Sequence, residues 1–515
     1  MSQEVLPVAS VAERPASRSL RWSDEPRAVW RLLDIDFSRP LTFALLAVAY
    51  IASRAPFVNI GYGTDPDAWR VALTGYWLWD NGEFYPSRLP GYPVHELASA
   101  AVIERGGYLA TNSLTVLVSL AGVWFFASIA SELRVPNRAI AVAGFAFAPL
   151  LWINSMTTMD YMWALTFLLG SYYFIIVRKN WLAAIMLGLA IGSRPTSAVM
   201  LLPLSMYLWR SGERGEVRSF AATALGIALI AYSPIIWEYG PGFLNYYGSD
   251  VDYLNVLRLL GKDCLGLIGA MAALAGAALS LPRLARLPSD ARRDRHVALW
   301  LLAIALTLIV FLSLPHEAAY LIPLYSFAML LMAKYFYRAA FAAVVAVIIA
   351  AGFVDLTSPG DEITSETFTN AELGRGLVLS NRDTMLAQRD YARDLREFNA
   401  PPNSVVIVGF IYPQFAVRYR DALEIGIVRK DEDAISQLSD RGKAVHLANN
   451  VTYVWLLEWD EFQKYRFAQS NFYYTEDGGR SSATLFGYRP GLFKAALIDL
   501  GRAPSGGAGA ARTDR

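Results

Sequence analysis

The chain has 515 residues, 55% hydrophobic and only 18% charged, with a formal net charge of +1. Soluble domains carry roughly 25% charged residues, so an ordinary soluble protein is excluded, and a near-zero net charge with no basic run speaks against nucleic acid as partner. The single cysteine, Cys264, can form neither an intramolecular disulfide nor a Cys-based metal site.

Residues 1–39 are polar and mixed in charge, unlike a cleavable signal peptide, and read as a cytoplasmic tail. Apolar stretches near spanning length then recur at 41–60, 108–131, 139–154, 161–177, 181–191, 198–209, 220–237, 263–281, 297–314, 318–332 and 339–353. The pattern predicts a polytopic α-helical membrane region over 40–355, with about eleven transmembrane helices. Its fifth and sixth stretches are the shortest, and Ser193-Arg194-Pro195-Thr196 separates them. Such broken helices survive in a membrane only where protein or a water-filled cavity satisfies the freed backbone.

Lys and Arg in the short loops give the orientation. One alternate set holds Arg134/Arg138, Arg178/Lys179, Arg210/Arg214/Arg218, Arg283/Arg286/Arg292/Arg293/Arg295 and Lys334/Arg338. The opposite loops, around Thr157, Arg194, Tyr246 and His316, carry very few. The N-terminus is therefore expected in the cytoplasm, and everything after the last span outside, in a multi-pass protein of the plasma (inner) membrane.

The long first external loop, 61–107, is rich in Trp and Tyr, which favour the membrane interface. Thr64 or Asp65 can cap a helix with Pro66 at its first position, and Trp69, Leu73, Tyr76 and Trp77 recur at helical spacing. A second short helix is expected near 95–104, and both are read as lying in the interface plane. Residues 356–502 look like an extracytoplasmic α/β domain, with strands at 404–410, 451–458 and 484–488 and amphipathic helices at 382–398 and 432–441. The tail 503–515 is small and polar, and is expected to be disordered.

The candidate chemistry gathers on the external side. Asp65 and Asp67, in Asp65-Pro66-Asp67, can serve as general base or orient a polar acceptor, and equally can cap a helix and favour its dipole. Asp160 opens the fourth span on the same side, where an ionisable group is costly. Arg194 breaks the loop-charge pattern. A guanidinium suits phosphate oxygens, although snorkelling or pairing with Asp160 also accounts for it. His316 and Glu317 form the shortest external turn and can meet phosphate or sugar hydroxyls, or cap a helix. Arg88 and Lys262 are further phosphate-contact candidates. His95 with Glu96 lacks metal-ligand spacing, and neither a Walker loop nor a dinucleotide fingerprint is present. No cofactor is expected; a divalent cation is left open.

Together these residues resemble the GT-C superfamily of membrane glycosyltransferases, which includes protein O-mannosyltransferases and lipid A aminoarabinose transferases. The resemblance covers roughly residues 40–335 and rests on Asp65 and Asp67 in the first external loop, Asp160, Gly188-Leu189-Ala190-Ile191-Gly192-Ser193-Arg194-Pro195, and His316-Glu317 with Tyr320-Leu321-Ile322-Pro323. It implies a polyprenyl-phosphate-linked sugar donor, an acceptor activated by a first-loop aspartate, and direct inversion. Asp65 or Asp67 would then be the base and Arg194 would stabilise the departing lipid phosphate. Many members pair the aspartate directly with glutamate, whereas here a proline separates two aspartates. The acceptor stays unidentified. A transporter or flippase of a lipid-linked or small polar substrate is the main alternative, disfavoured because the charges gather at one face and no inverted pairing of segments is visible.

Overall fold

In a computed structural model of the protein, the described residues are 35–240, 253–357 and 372–397, together with residue 417 and the strand segments Ser404–Val408, Tyr453–Leu457, Ser481–Gly487 and Lys494–Leu500. All eleven apolar stretches contain helix. In chain order the helices are α1 (Pro40–Arg54), α2 (Pro66–Asn81), α3 (Pro93–Glu132), α4 (Arg138–Phe147), α5 (Pro149–Asn154), α6 (Tyr161–Ile176), α7 (Asn180–Ser193), α8 (Leu201–Arg210) and α9 (Arg214–Tyr239). There follow α10 (Tyr253–Arg258), α11 (Leu267–Leu279), α12 (Leu281–Leu284), α13 (Leu287–Arg293), α14 (Arg295–Ser313), α15 (Ile322–Tyr335) and α16 (Arg338–Ala351). Among the described residues four helical segments are long and apolar enough to cross a membrane by themselves, and one helix pair, Val256–Asp263 with Leu267–Leu279, bent by 89°, would make a fifth span.

The outer faces show what surrounds these helices. Leu45 on α1, Ile230 on α9 and Leu274 on α11 are 66%, 71% and 73% exposed. Apolar side chains presented by several helices form a surface suited to lipid, and a multi-pass membrane protein needs such a belt. Contacts between helices depend instead on small residues. A Cβ on Gly188 would lie 2.5 Å from the Ile227 Cβ and 2.8 Å from the Ala224 carbonyl oxygen, so glycine there lets α7 and α9 touch.

Two features differ from the sequence pattern. The second interfacial helix and the following span are one 40-residue helix, α3, broken only at Gly107 (φ 51°, ψ −139°), a backbone conformation open to glycine. No proline lies between them to end the helix. Beyond α16, β1 (Val354–Thr357) and β2 (Glu372–Arg375) form an antiparallel pair that the sequence pattern does not reveal. Helix α17 (Leu377–Glu397) then leads to a four-stranded sheet of order β3-β4-β6-β5, from Ser404–Val408, Tyr453–Leu457, Ser481–Gly487 and Lys494–Leu500. Strands β3 and β4 run parallel and the other pairs antiparallel. Three of these strands match the expected ones, and β6 is additional. The expected helix 432–441, the tail 503–515 and most of the N-terminal tail lie outside the described residues.

Candidate active site

Local chemistry fixes the first loop. The Asp65 carboxylate accepts the Asp67 backbone N–H at 2.8 Å, which caps α2, and Pro66 occupies the first helical position. Behind it, Asn112 of α3 donates to the carbonyls of Val58 (3.1 Å) and Gly61 (2.7 Å) and accepts from the Thr158 hydroxyl at 2.8 Å. Thr158 also donates its backbone N–H to the Tyr62 carbonyl at 2.7 Å. One buried amide thus ties the turn before Asp65 to the turn before Asp160, and a satisfied buried network of this kind specifies a single geometry. On the other side of the loop, Glu96 accepts from the Ser87 N–H (2.9 Å), the Ser87 hydroxyl (2.5 Å) and the Tyr92 N–H (3.2 Å), which holds the segment carrying Arg88.

These supports align a chain of charges. Arg70 lies 3.4 Å from Asp67, and Arg88 lies 2.8 Å from Asp67 and 3.3 Å from Asp160. Arg194 lies 2.6 Å from Asp160, which is fully buried. Arg70, Arg88 and Arg194 thus alternate with Asp67 and Asp160 along this chain. Nη1 of Arg88 is buried without a hydrogen-bond acceptor among the described residues, so the chain keeps a guanidinium donor for a further anion. Arg194 also lies 4.2 Å from the ring centroid of Tyr161 and 4.6 Å from that of Tyr320, and Arg88 lies 4.2 Å from that of Tyr92. The aromatic faces hold both cations in place.

Two cavities adjoin this chain. One, of about 530 Å³, is lined largely by apolar side chains such as Ala164, Leu168, Val199, Met200 and Val310, with Arg194 its one charged lining residue. The other, of about 440 Å³, is lined by Thr64, Asp65, Arg258, Asp263, His316 and Glu317 among others. Tyr161 and Ala319 border both. The Tyr161 hydroxyl donates to Glu317 at 2.5 Å, so this phenol forms part of the wall between them. Burial, followed by the neighbouring carboxylates Glu317 and Asp67, holds Asp65 well above the usual carboxylate range.

Of the residues singled out in the sequence, Asp65, Asp67, Arg88, Asp160, Arg194, His316 and Glu317 therefore meet at one place, although they are drawn from five separate stretches of chain. Asp65 caps its helix and still lines a cavity, whereas Asp67 is held between two arginines. Asp160 and Glu317 make no side-chain caps: each stands before a helix but bonds across to another element. Lys262 borders neither cavity. It lies in the π-helical turn Leu259–Asp263, and its neighbours Arg258 and Asp263, paired at 3.1 Å, line the polar cavity instead. Sequence reasoning missed Tyr92, Tyr161 and Asn112, and the roles of Tyr320 and Glu96. Tyrosines at a membrane boundary read as interfacial anchors, and only the fold shows them stacked on arginine.

No family model matches this chain, and no curated protein does. Among solved structures, the crystal structure of ArnT from Cupriavidus metallidurans in the apo state is similar, with a TM-score of 0.52 and 12% sequence identity. The match covers 89% of this chain and 98% of that one. At that identity the likeness is one of fold: this chain has the ArnT-type fold of a multi-pass membrane protein, as the resemblance to GT-C enzymes predicts.

Proposed function

We propose that the protein is an inverting glycosyltransferase that takes its sugar from a polyprenyl-phosphate-linked donor at the extracytoplasmic membrane face. The observation that carries this reading is the pair of adjoining cavities. One is apolar with an arginine in its wall, and the other is lined by carboxylates including Asp65. A lipid-linked phosphosugar has the same division, an isoprenoid tail followed by an anion and a polyol. In this reading the tail occupies the apolar cavity, the phosphate meets Arg194 and Arg88, and the sugar lies near Tyr161. Asp65 removes the proton from an acceptor hydroxyl as its oxygen bonds to the anomeric carbon. The bond from that carbon to the phosphate oxygen breaks, and the lipid phosphate leaves with the electron pair. The raised proton affinity of Asp65 suits a base.

The ArnT-type fold supports the class of reaction and donor. The proposed sidedness is supported by a polar recess lined by Arg210, Arg293, Arg295 and His296. It lies at the start of α14, whereas Ser313 at the far end of α14 lines the apolar cavity. A helix of 19 residues puts roughly 28 Å between these ends. The arginine-rich end is then cytoplasmic and the Asp65 end external.

The test is turnover of a panel of polyprenyl-phosphate sugars by purified full-length protein, following release of the free lipid phosphate with and without EDTA. We expect one donor class to be consumed, and the EDTA arm decides whether a divalent cation takes part. If folded protein left every donor intact in the presence of membrane acceptors, the transferase reading would fall, and a flipping assay in liposomes would test transport.

A further inference from the structure

The helix that follows the membrane region reaches back to the loop bearing Asp65. Val378 and Met385 of α17 are buried, and Asn381 and Gln388 share their face at helical spacing. The Asn381 amide donates to the Thr64 hydroxyl at 3.1 Å, and the Gln388 amide donates to the Thr64 carbonyl at 2.6 Å. Two side chains, two turns of helix apart, therefore hold the hydroxyl and the carbonyl of the residue preceding Asp65. Their own carbonyl oxygens are buried with no partner among the described residues, so each carboxamide is engaged through its nitrogen alone. Fixing two long polar side chains costs conformational entropy, and here the ordering is directed at a single residue over 300 positions away in the chain.

We infer that Asn381 and Gln388 are positioning residues, which hold Asp65 in place through Thr64 and so make α17 part of the active site. This rests on the glycosyltransferase reading above. Thr64 precedes the capping position of α2, where Asp65 must keep its bond to the Asp67 N–H and still present its carboxylate to the polar cavity. With Asn112 holding the turn before it and α17 holding Thr64, the loop is fixed on two sides. Without α17, the Asp65 carboxylate samples positions away from the cavity. The donor contacts at Arg194 belong to other elements and are untouched.

The test uses full-length protein carrying Asn381→Leu with Gln388→Leu, and a double-mutant cycle of Thr64→Val against Asn381→Leu. We expect kcat to fall about ten- to hundredfold, as small displacements of a reacting group do, with the KM for donor unchanged. The cycle should be non-additive, because Thr64→Val already removes the acceptor that Asn381 uses, and Thr64→Ser should restore activity over Thr64→Val. Hydrogen exchange of the peptide spanning 61–70 should quicken in the double leucine variant. Faster exchange with unchanged kcat, an additive cycle, or unaltered exchange would each overturn the inference. If wild-type protein consumed no donor, the transferase reading would fail separately, and the exchange measurement would still decide whether α17 holds the loop.

Discussion

Asp65 and Asp67 stand two residues apart at the start of one helix, yet the structure gives them different work. Asp67 is committed to Arg70 and Arg88, while Asp65 accepts one backbone N–H and borders the polar cavity. Asp65→Asn keeps the cap and removes the proposed base, so kcat should drop by about a hundredfold or more with donor affinity retained. Asp67→Asn weakens the hold on Arg88 and should act chiefly on the KM for donor. Steady-state kinetics of both variants decide the matter, and a kcat loss confined to Asp67→Asn would exchange the roles. The pH dependence offers an independent check. As the proposed base Asp65 would have to be ionised, and its raised proton affinity should put the acid limb of kcat/KM above the ordinary carboxylate range. Glu317 contributes to that shift through its charge. Glu317→Gln should therefore move the acid limb to lower pH, and a limb that stayed in place or rose would contradict the assignment. Nothing in Asp65-Pro66-Asp67 as a sequence separates the two aspartates, because the partner that commits one of them, Arg88, lies some twenty residues away, beyond α2 and Pro86.

Helices and their breaks were largely legible, because apolar length and proline act locally. The interruption expected at Ser193-Arg194-Pro195-Thr196 is present: α7 ends at Ser193, Arg194 is extended, and a 3-10 turn, Pro195–Met200, leads into α8. What held these elements together was not legible, since it lies in contacts between distant segments. Arg54 shows this. It ends α1, is wholly buried, and forms no ion pair with a described carboxylate. Its guanidinium donates to the Ala146 carbonyl of α4 at 2.6 Å, to Ser155 at 3.2 Å and to Ser53 at 2.8 Å, and lies 3.6 Å from the Tyr50 ring centroid and 4.3 Å from that of Trp152. In the sequence it looks like any basic residue at the end of a span. In the structure it joins α1 to the α4–α5 break, where Ala146 contributes a carbonyl from the last turn of α4. Arg54→Met keeps much of the volume and loses these charged hydrogen bonds, so we expect a loss of about 2 kcal/mol or more, read as a lower melting temperature in detergent. An unchanged melting temperature would remove Arg54 from the account of how α1 is held.

At the scale of the whole molecule, the two ends of the helical bundle have different chemistry, and the asymmetry bears on where the reaction takes place. One end presents Arg210, Arg293 and Arg295 around a recess, with Lys334 paired to Asp294 at 2.5 Å. The other collects the Asp65 carboxylate, the Asp160 ion pairs and the apolar cavity. The loop-charge alternation already implied this polarity. The merging of separate loops into one site had to wait for the fold, because charge counting assigns a side of the membrane and not a neighbour. If the asymmetry sets orientation, two exposed positions should report opposite compartments: Asn81 at the end of α2, and Arg292 before α14. In a Cys264→Ala background, Asn81→Cys should react with a membrane-impermeant maleimide in intact cells, and Arg292→Cys only after permeabilisation. The reverse pattern would put Asp65 on the side of the nucleotide sugars. A lipid-phosphate carrier would then have no evident purpose, since its use follows from a site that soluble cytoplasmic donors cannot reach.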